Sequence, residues 1–161
     1  MKKAALVLCF LSVMLVIRAH GGTELRMRGG GPAVSAGRQV ILSIVPPTAP
    51  LTIGDGQASF SIPASMAGLS LVAVGAHVYT SGTGRSPAFR VKKKLLSDGS
   101  VVDVLSTIVT IDPGEKDSST AEIPALIDAS AKEVGVGDEI FIDVTQAATG
   151  TKGGEIHLLF Q

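Results

Sequence analysis

The chain has 161 residues, 45% of them hydrophobic and 17% charged, which suits one domain with a real core and excludes a disordered chain. Its formal net charge is zero, which leaves no electrostatic footprint for nucleic acid. The single cysteine, Cys9, excludes an intrachain disulfide and a cysteine-based zinc site, and the absence of Asn excludes N-glycosylation.

Lys2 and Lys3 open the chain, and residues 4–17 are a mostly apolar run closed by Arg18, Ala19 and His20. That run is short for a membrane span, which needs about 20 residues. It fits the hydrophobic region of a secretory signal, with Ala19 as the last residue before cleavage. An uncleaved anchor or a start placed too far upstream is the alternative. Residues 1–19 are therefore expected to be a signal-like segment. Residues 20–38 follow, rich in glycine, with Arg26, Arg28 and a Gly29–Gly30–Gly31–Pro32 break and no hydrophobic period. They read as a flexible arm.

From residue 39 to the end the signals are those of β-structure. Residues 39–45 (QVILSIV) are rich in β-branched side chains and are stopped by Pro46 and Pro47. Residues 57–62 alternate, with Ala58, Phe60 and Ile62 on one face, and Pro63 ends them. Residues 70–79 form a long apolar strand before the turn Ser81–Gly82–Thr83–Gly84. Residues 88–95 form a strand that carries basic side chains. Asp98–Gly99 is a turn, and residues 101–111 are the next extended run. Residues 120–127 suggest one more short strand, and 128–134 are the sole helix candidate. Residues 139–145 and 155–161 alternate cleanly and read as a closing hairpin across a loop of small residues. The pattern predicts an all-β antiparallel sandwich over residues 39–161, with the jelly roll as leading topology. Its expected core contains Phe60, Val72, Val74, Ile140, Ile142, Val144, Ile156, Leu158 and Phe160.

Residues able to do chemistry are sparse. His20, His77 and His157 show no spacing for a metal site and read as structural or surface histidines. Asp112, Glu115 and Asp117 lie in one loop, but their spacing matches no EF-hand, so a polar turn is the expectation over Ca²⁺. No nucleophile elbow or phosphate loop is present. No catalytic residue, metal ligand or cofactor is expected. Arg90, Lys92, Lys93 and Lys94 are the one basic cluster, a candidate contact patch for phosphate or an acidic partner. The preferred reading is an edge strand guarded by lysine against stray pairing. Phe141 and Leu159 are expected to point outward from the last two strands and to form an assembly surface.

Residues 52–161 resemble a family of small tailed-phage and prophage virion structural proteins with a C-terminal β-sandwich, of tail, fibre or head-decoration type. The likeness rests on Thr52–Ile53–Gly54–Asp55–Gly56, on FSIPASMAGLSLVAVGAHV (60–78) and on DVLST (103–107) with Thr110–Ile111–Asp112. It continues through EKDSSTA (115–121), PALID (124–128), VGDEI (136–140), Ile142–Asp143–Val144, Gly150–Thr151–Lys152–Gly153 and HLLFQ (157–161). It covers about two-thirds of the chain in unbroken order. The signal-like start, the glycine-rich arm and the basic character of residues 90–96 are unusual for the family. The resemblance implies a virion protein without catalytic residues. Such a protein assembles as a homo-oligomer, a trimer by family analogy, or on other virion proteins, and meets a host surface receptor through its loops. The alternative is an exported bacterial adhesion or ligand-binding module, secreted or periplasmic, to which the signal-like start points. The lack of Trp and the single Tyr count against a sugar platform in that module.

Overall fold

The structure is a computed structural model and describes residues 37–161. The signal-like segment 1–19, and the glycine-rich arm up to residue 36, lie outside the described residues. The fold is all-β. In chain order its strands are β1 (Arg38–Pro50), β2 (Gly54–Ser61), β3 (Leu71–His77), β4 (Ala88–Lys94), β5 (Val101–Asp103), β6 (Leu105–Thr107), β7 (Val109–Thr110), β8 (Leu126–Ile127), β9 (Glu139–Gln146) and β10 (Lys152–Phe160). Single 3-10 turns occupy Ala64–Met66 and Ser118–Thr120.

Every strand pair is antiparallel. One sheet has the order β1-β10-β3, and the other β2-β9-β4-β5 with β7 beside β4. β6 and β8 form a small third pair. The two main sheets share one apolar core. β9 contributes Ile140, Ile142 and Val144, β10 contributes Ile156, Leu158 and Phe160, and β4 contributes Phe89 and Val91. Period-two alternation makes this possible, because each strand turns one apolar row inward and one mixed row outward.

Six of the nine expected core residues, those of β9 and β10, are fully buried. Phe60 and Val74 are half-buried against the core, and Phe60 is held there by β2, a border strand. Val72 does not belong to the core and is 42% exposed. The register explains the difference. Leu159 pairs with Ala73, but Phe160 pairs with Leu71, so Val72 is the extra residue of a bulge. A bulge reverses the parity of a strand. Leu71 therefore faces inward on one side of the bulge, and Val74, Ala76 and Val78 do so on the other.

Four further expectations are corrected. β9 and β10 are not a hairpin: β9 pairs with β2 and β4, β10 with β1 and β3. Alternation tells which face of a strand is buried, and is silent on which strand lies beside it. β1 does not stop at Pro46 but continues to Pro50, with an irregularity where Val45 and Pro50 pair with Gly154 and Lys152. Prolines are tolerated there because β1 is a border strand. The bulge brings Pro47 Cα to 2.9 Å from where a Cβ on Gly153 would stand, and Gly153 has φ +66°, so only glycine fits. Residues 101–111 break into three short strands, and 128–134 form turns and a bridge rather than a helix.

Candidate functional site

Phe141 and Leu159 lie on opposite outer faces. Phe141 stands between Ser59 and Lys92 on one sheet, and Leu159 between Gln39 and Ala73 on the other. Both point away from the same core, so they point away from each other and cannot form one assembly surface. Each is only half exposed.

The basic cluster is also divided. β4 lies between β9 and β5, so it is an interior strand and the edge-guard reading fails. Alternation sends Lys93 inward with Phe89 and Val91, and sends Arg90, Lys92 and Lys94 outward. Lys93 is 6% exposed, and its Nζ donates to the backbone carbonyls of Ala131 and Glu133. It is a structural anchor for the 131–133 segment. Outside, the Lys92 ammonium lies 2.6 Å from the Asp143 carboxylate, and Arg90 Nε lies 3.9 Å from Asp103. The hydrogen bond to Asp143 pushes the Lys92 pKa up. The outer face of β4 is thus a mixed surface in which two of the three cations meet a carboxylate.

Asp143 is on the outward row of β9 and is nevertheless buried. β2 explains this. Between Gly54 and Ala58 it bulges over Asp143, and Gly56, at φ +59°, donates its N–H to Asp143 Oδ1 at 2.8 Å. Desolvation pushes the Asp143 pKa up, but the hydrogen bonds from Lys92 and Gly56 outweigh it and the net shift is downward.

The outer face of the β1-β10-β3 sheet is a grid of three rows. Ser43, Glu155 and His77 form one row, Ile41, His157 and Gly75 the next, and Gln39, Leu159 and Ala73 the third. The first row is polar. Glu155 accepts from Tyr79 Oη at 3.1 Å and lies 3.0 Å from His157 Nε2, and the bond to Glu155 raises the Tyr79 pKa. His77 stacks edge-on against Tyr79, with ring centroids 5.4 Å apart, and its Nδ1 is 3.8 Å from Asp117. Gly75 has no side chain, so a shallow hollow of about 310 Å³ opens between His157, Thr110, Ser118 and Ala125. Among the described residues, no group of three or more His, Cys, Asp or Glu is placed to hold a metal ion. The loop carboxylates serve their own loop. Asp112 accepts from Glu122 N–H, Glu115 from the Thr120 hydroxyl and Asp117 from Ser119 N–H.

The borders of this sheet differ most. β3 is covered at both ends: Leu71 N–H donates to Lys132 O, and beyond the strand's middle Ala76 N–H donates to Ser118 Oγ and Val78 N–H to Lys116 O. β1 pairs with β10 on one side. Among the described residues, no strand or loop pairs with its other side. Ile41, at the middle of its apolar half, is 54% exposed, and Val40 and Leu42 are only half-buried. The sequence carried a signal for this border, the β-branched run 39–45 before a proline pair, but not the pairing that makes it a border.

Comparison of the chain with protein-family models, with curated proteins and with solved structures finds no match.

Proposed function

We propose that this chain is a non-enzymatic structural protein of a tailed-phage virion, an appendage, decoration or fibre-tip module that acts by self-assembly and surface binding. The observation that carries the reading is the open β1 border. An apolar strand whose outer backbone groups meet no partner among the described residues is a template for another chain, and soluble domains normally blunt such edges. The resemblance to virion proteins, over residues 52–161, falls wholly within the described β-fold and supports the same reading. So does the topology. The first strand lies beside the last, the second beside the last but one, and the third and fourth lie on the far sides of those same two. That order supports assigning the fold as a jelly roll, an architecture shared by many capsid and attachment proteins.

The test is to purify particles from a culture that produces them, by density gradient, and to analyse them by mass spectrometry. The chain is expected at a fixed copy number per particle and absent from particles made after its gene is deleted. Recovery only in the medium or periplasm, free of particles, would replace this reading with the exported binding module.

A further inference from the structure

We infer that the β1 border is a self-association surface, joining two copies of this chain through an antiparallel β1–β1 pair about a two-fold axis at Ile41. The inference rests on the assembly reading above and names its partner, a second copy.

The strand itself selects that partner. By polarity, residues 39–43 (QVILS) read the same in both directions: polar, apolar, apolar, apolar, polar. A two-fold axis requires such self-complementarity, because residue i must suit j as j suits i. With the axis at Ile41, Ile41 meets Ile41 of the second copy on the outer face. Gln39 meets Ser43 of that copy, amide against hydroxyl. On the inner side Val40 meets Leu42 of the copy, which covers the apolar groups that β1 leaves half-buried beside the core. A slip of one residue would oppose Ile41 to Val40 or Leu42 of the copy and send outer side chains to the inner face, and a slip of two would set Ile41 against Ser43 or Gln39, so the polarity pattern favours the Ile41 register.

Charge fixes the direction. Arg38 is the one charged residue in β1. Antiparallel pairing sends the two Arg38 side chains to opposite ends, each facing Ile44 of the other copy. Parallel in-register pairing would stack them. The length is limited by the register shift between Ser43 and Val45 and, beyond it, by Pro46 and Pro47, which have no N–H to give a ladder. The joint therefore runs over residues 39–43 and merges two three-stranded sheets into one of six, in the order β3-β10-β1-β1-β10-β3. The covered β3 borders then lie at both ends. Two-fold pairing gives a dimer and departs from the trimer that the family resemblance implies.

Sedimentation velocity of the full chain across micromolar to near-millimolar concentration is expected to show a monomer–dimer equilibrium. Ile41→Lys should leave a monomer with unchanged circular dichroism at all concentrations. The register is read by cross-linking in a Cys9→Ser background. Directly opposed residues have Cβ atoms about 5 Å apart, so the Ile41→Cys chain should cross-link to itself with a short bismaleimide. Neither Gln39→Cys nor Ser43→Cys should do so alone, because like positions are then displaced by about 13 Å along the strands. A mixture of those two chains should give the mixed dimer. A full chain that stays monomeric throughout, or a dimer that survives Ile41→Lys, overturns the inference. Either result can coexist with recovery of the chain in purified particles, so the virion reading stands or falls separately.

Discussion

Along β3, Leu71 donates to Lys132 O, Ala76 to Ser118 Oγ and Val78 to Lys116 O. Along β1, the opposite border of the same sheet, no such partner is found among the described residues. Both strands are apolar, and both lie against β10. The difference lies in what the rest of the chain lays beside them. β3 is covered by segments some 40 to 60 positions further on, which Lys93 and the 112–121 loop hold in place. The other sheet protects its borders by other means: β5 has three residues, and β2 is bent by its bulge over Asp143. Three borders are thus short, bent or covered, and each device limits stray pairing. Half of the fourth is broken by prolines, and among the described residues the stretch up to Ser43, before its register shift, is an apolar edge with none of these devices. Measurements that open the covered border or close the open one probe this contrast directly.

The largest effect is expected from Lys93→Met. The substitution keeps the buried aliphatic packing and removes the donor to Ala131 O and Glu133 O. Two carbonyls lose a charged donor, and the segment covering Leu71 loses its anchor. A hydrogen bond from a charged group contributes about 1.5–3 kcal/mol, so a loss of about 2–3 kcal/mol is expected in urea denaturation. Amide exchange at Leu71 should accelerate as well. A loss below about 0.5 kcal/mol, the level of an ordinary surface substitution, would show that Lys93 anchors nothing.

Acid should act next, on the bent border. The folded-state pKa of Asp143 is lowered, so its contribution is complete above the ordinary carboxylate value of 3.8 and is lost as pH falls through the lower folded value. Asp117 adds in the same direction, because hydrogen bonds from Ser119 lower its pKa too. Stability is therefore expected to hold from neutrality to about pH 4 and to fall below it. Asp143→Asn should flatten that acid limb and cost about 1–2 kcal/mol at neutral pH, where Lys92 loses its carboxylate. An acid limb of unchanged steepness in the variant would remove Asp143 as its source.

Ser118→Ala tests the covered border more gently. It leaves the N–H of Ala76 without its acceptor while Val78 keeps the bond to Lys116 O. About 1 kcal/mol should be lost, with faster amide exchange at Ala76 and little change at Val78. Equal acceleration at both positions would mean that the loop leaves as one unit, with the hydroxyl as its main tether.

The inward rows of β9 and β10 were legible because strict alternation over seven or eight residues has one physical explanation, a strand with one wet and one dry face. The partners of those strands were not legible. Nothing in QVILSIV or in the run 155–161 states that they lie side by side, and nearness in sequence favours a closing hairpin for 139–161. The same gap hid the candidate site. His77 and His157 are 80 positions apart and share a face only because Glu155 pairs with His77 and His157 with Gly75. Lys92 to Lys94 read as one basic patch until period two divides them, and reading them as an edge guard assumed a border that β5 and β9 occupy. Phe141 and Leu159 do lie on outer rows, but of different sheets, and only a hairpin would join them into one surface. Local polarity was informative at each step, and what it lacked was long-range pairing, which depends on how both sheets close over the core.

Val72 makes the smallest prediction and the sharpest control. In a regular strand it would share the inward row with Val74, and Val72→Lys would then bury an ammonium group at a cost of several kcal/mol. The bulge between the Leu159 and Phe160 pairings turns it outward instead. It stands exposed on β3, the border whose backbone is already bonded to Lys132 and to the Lys116–Ser118 segment. Val72→Lys is therefore expected to change stability by no more than about 0.5 kcal/mol, as at an ordinary surface site. It should also leave the sedimentation behaviour as it was. Ile41→Lys, at an even more exposed β-branched residue on the same sheet, should be as mild for folding and decisive for association. If both lysines disrupt association alike, the distinction between the two borders is lost. If Val72→Lys alone unfolds the chain, β3 runs without its bulge. A pair of variants matched in stability and opposite in association would show that a bonded edge and an open edge, alike in composition, differ in their readiness to accept another strand.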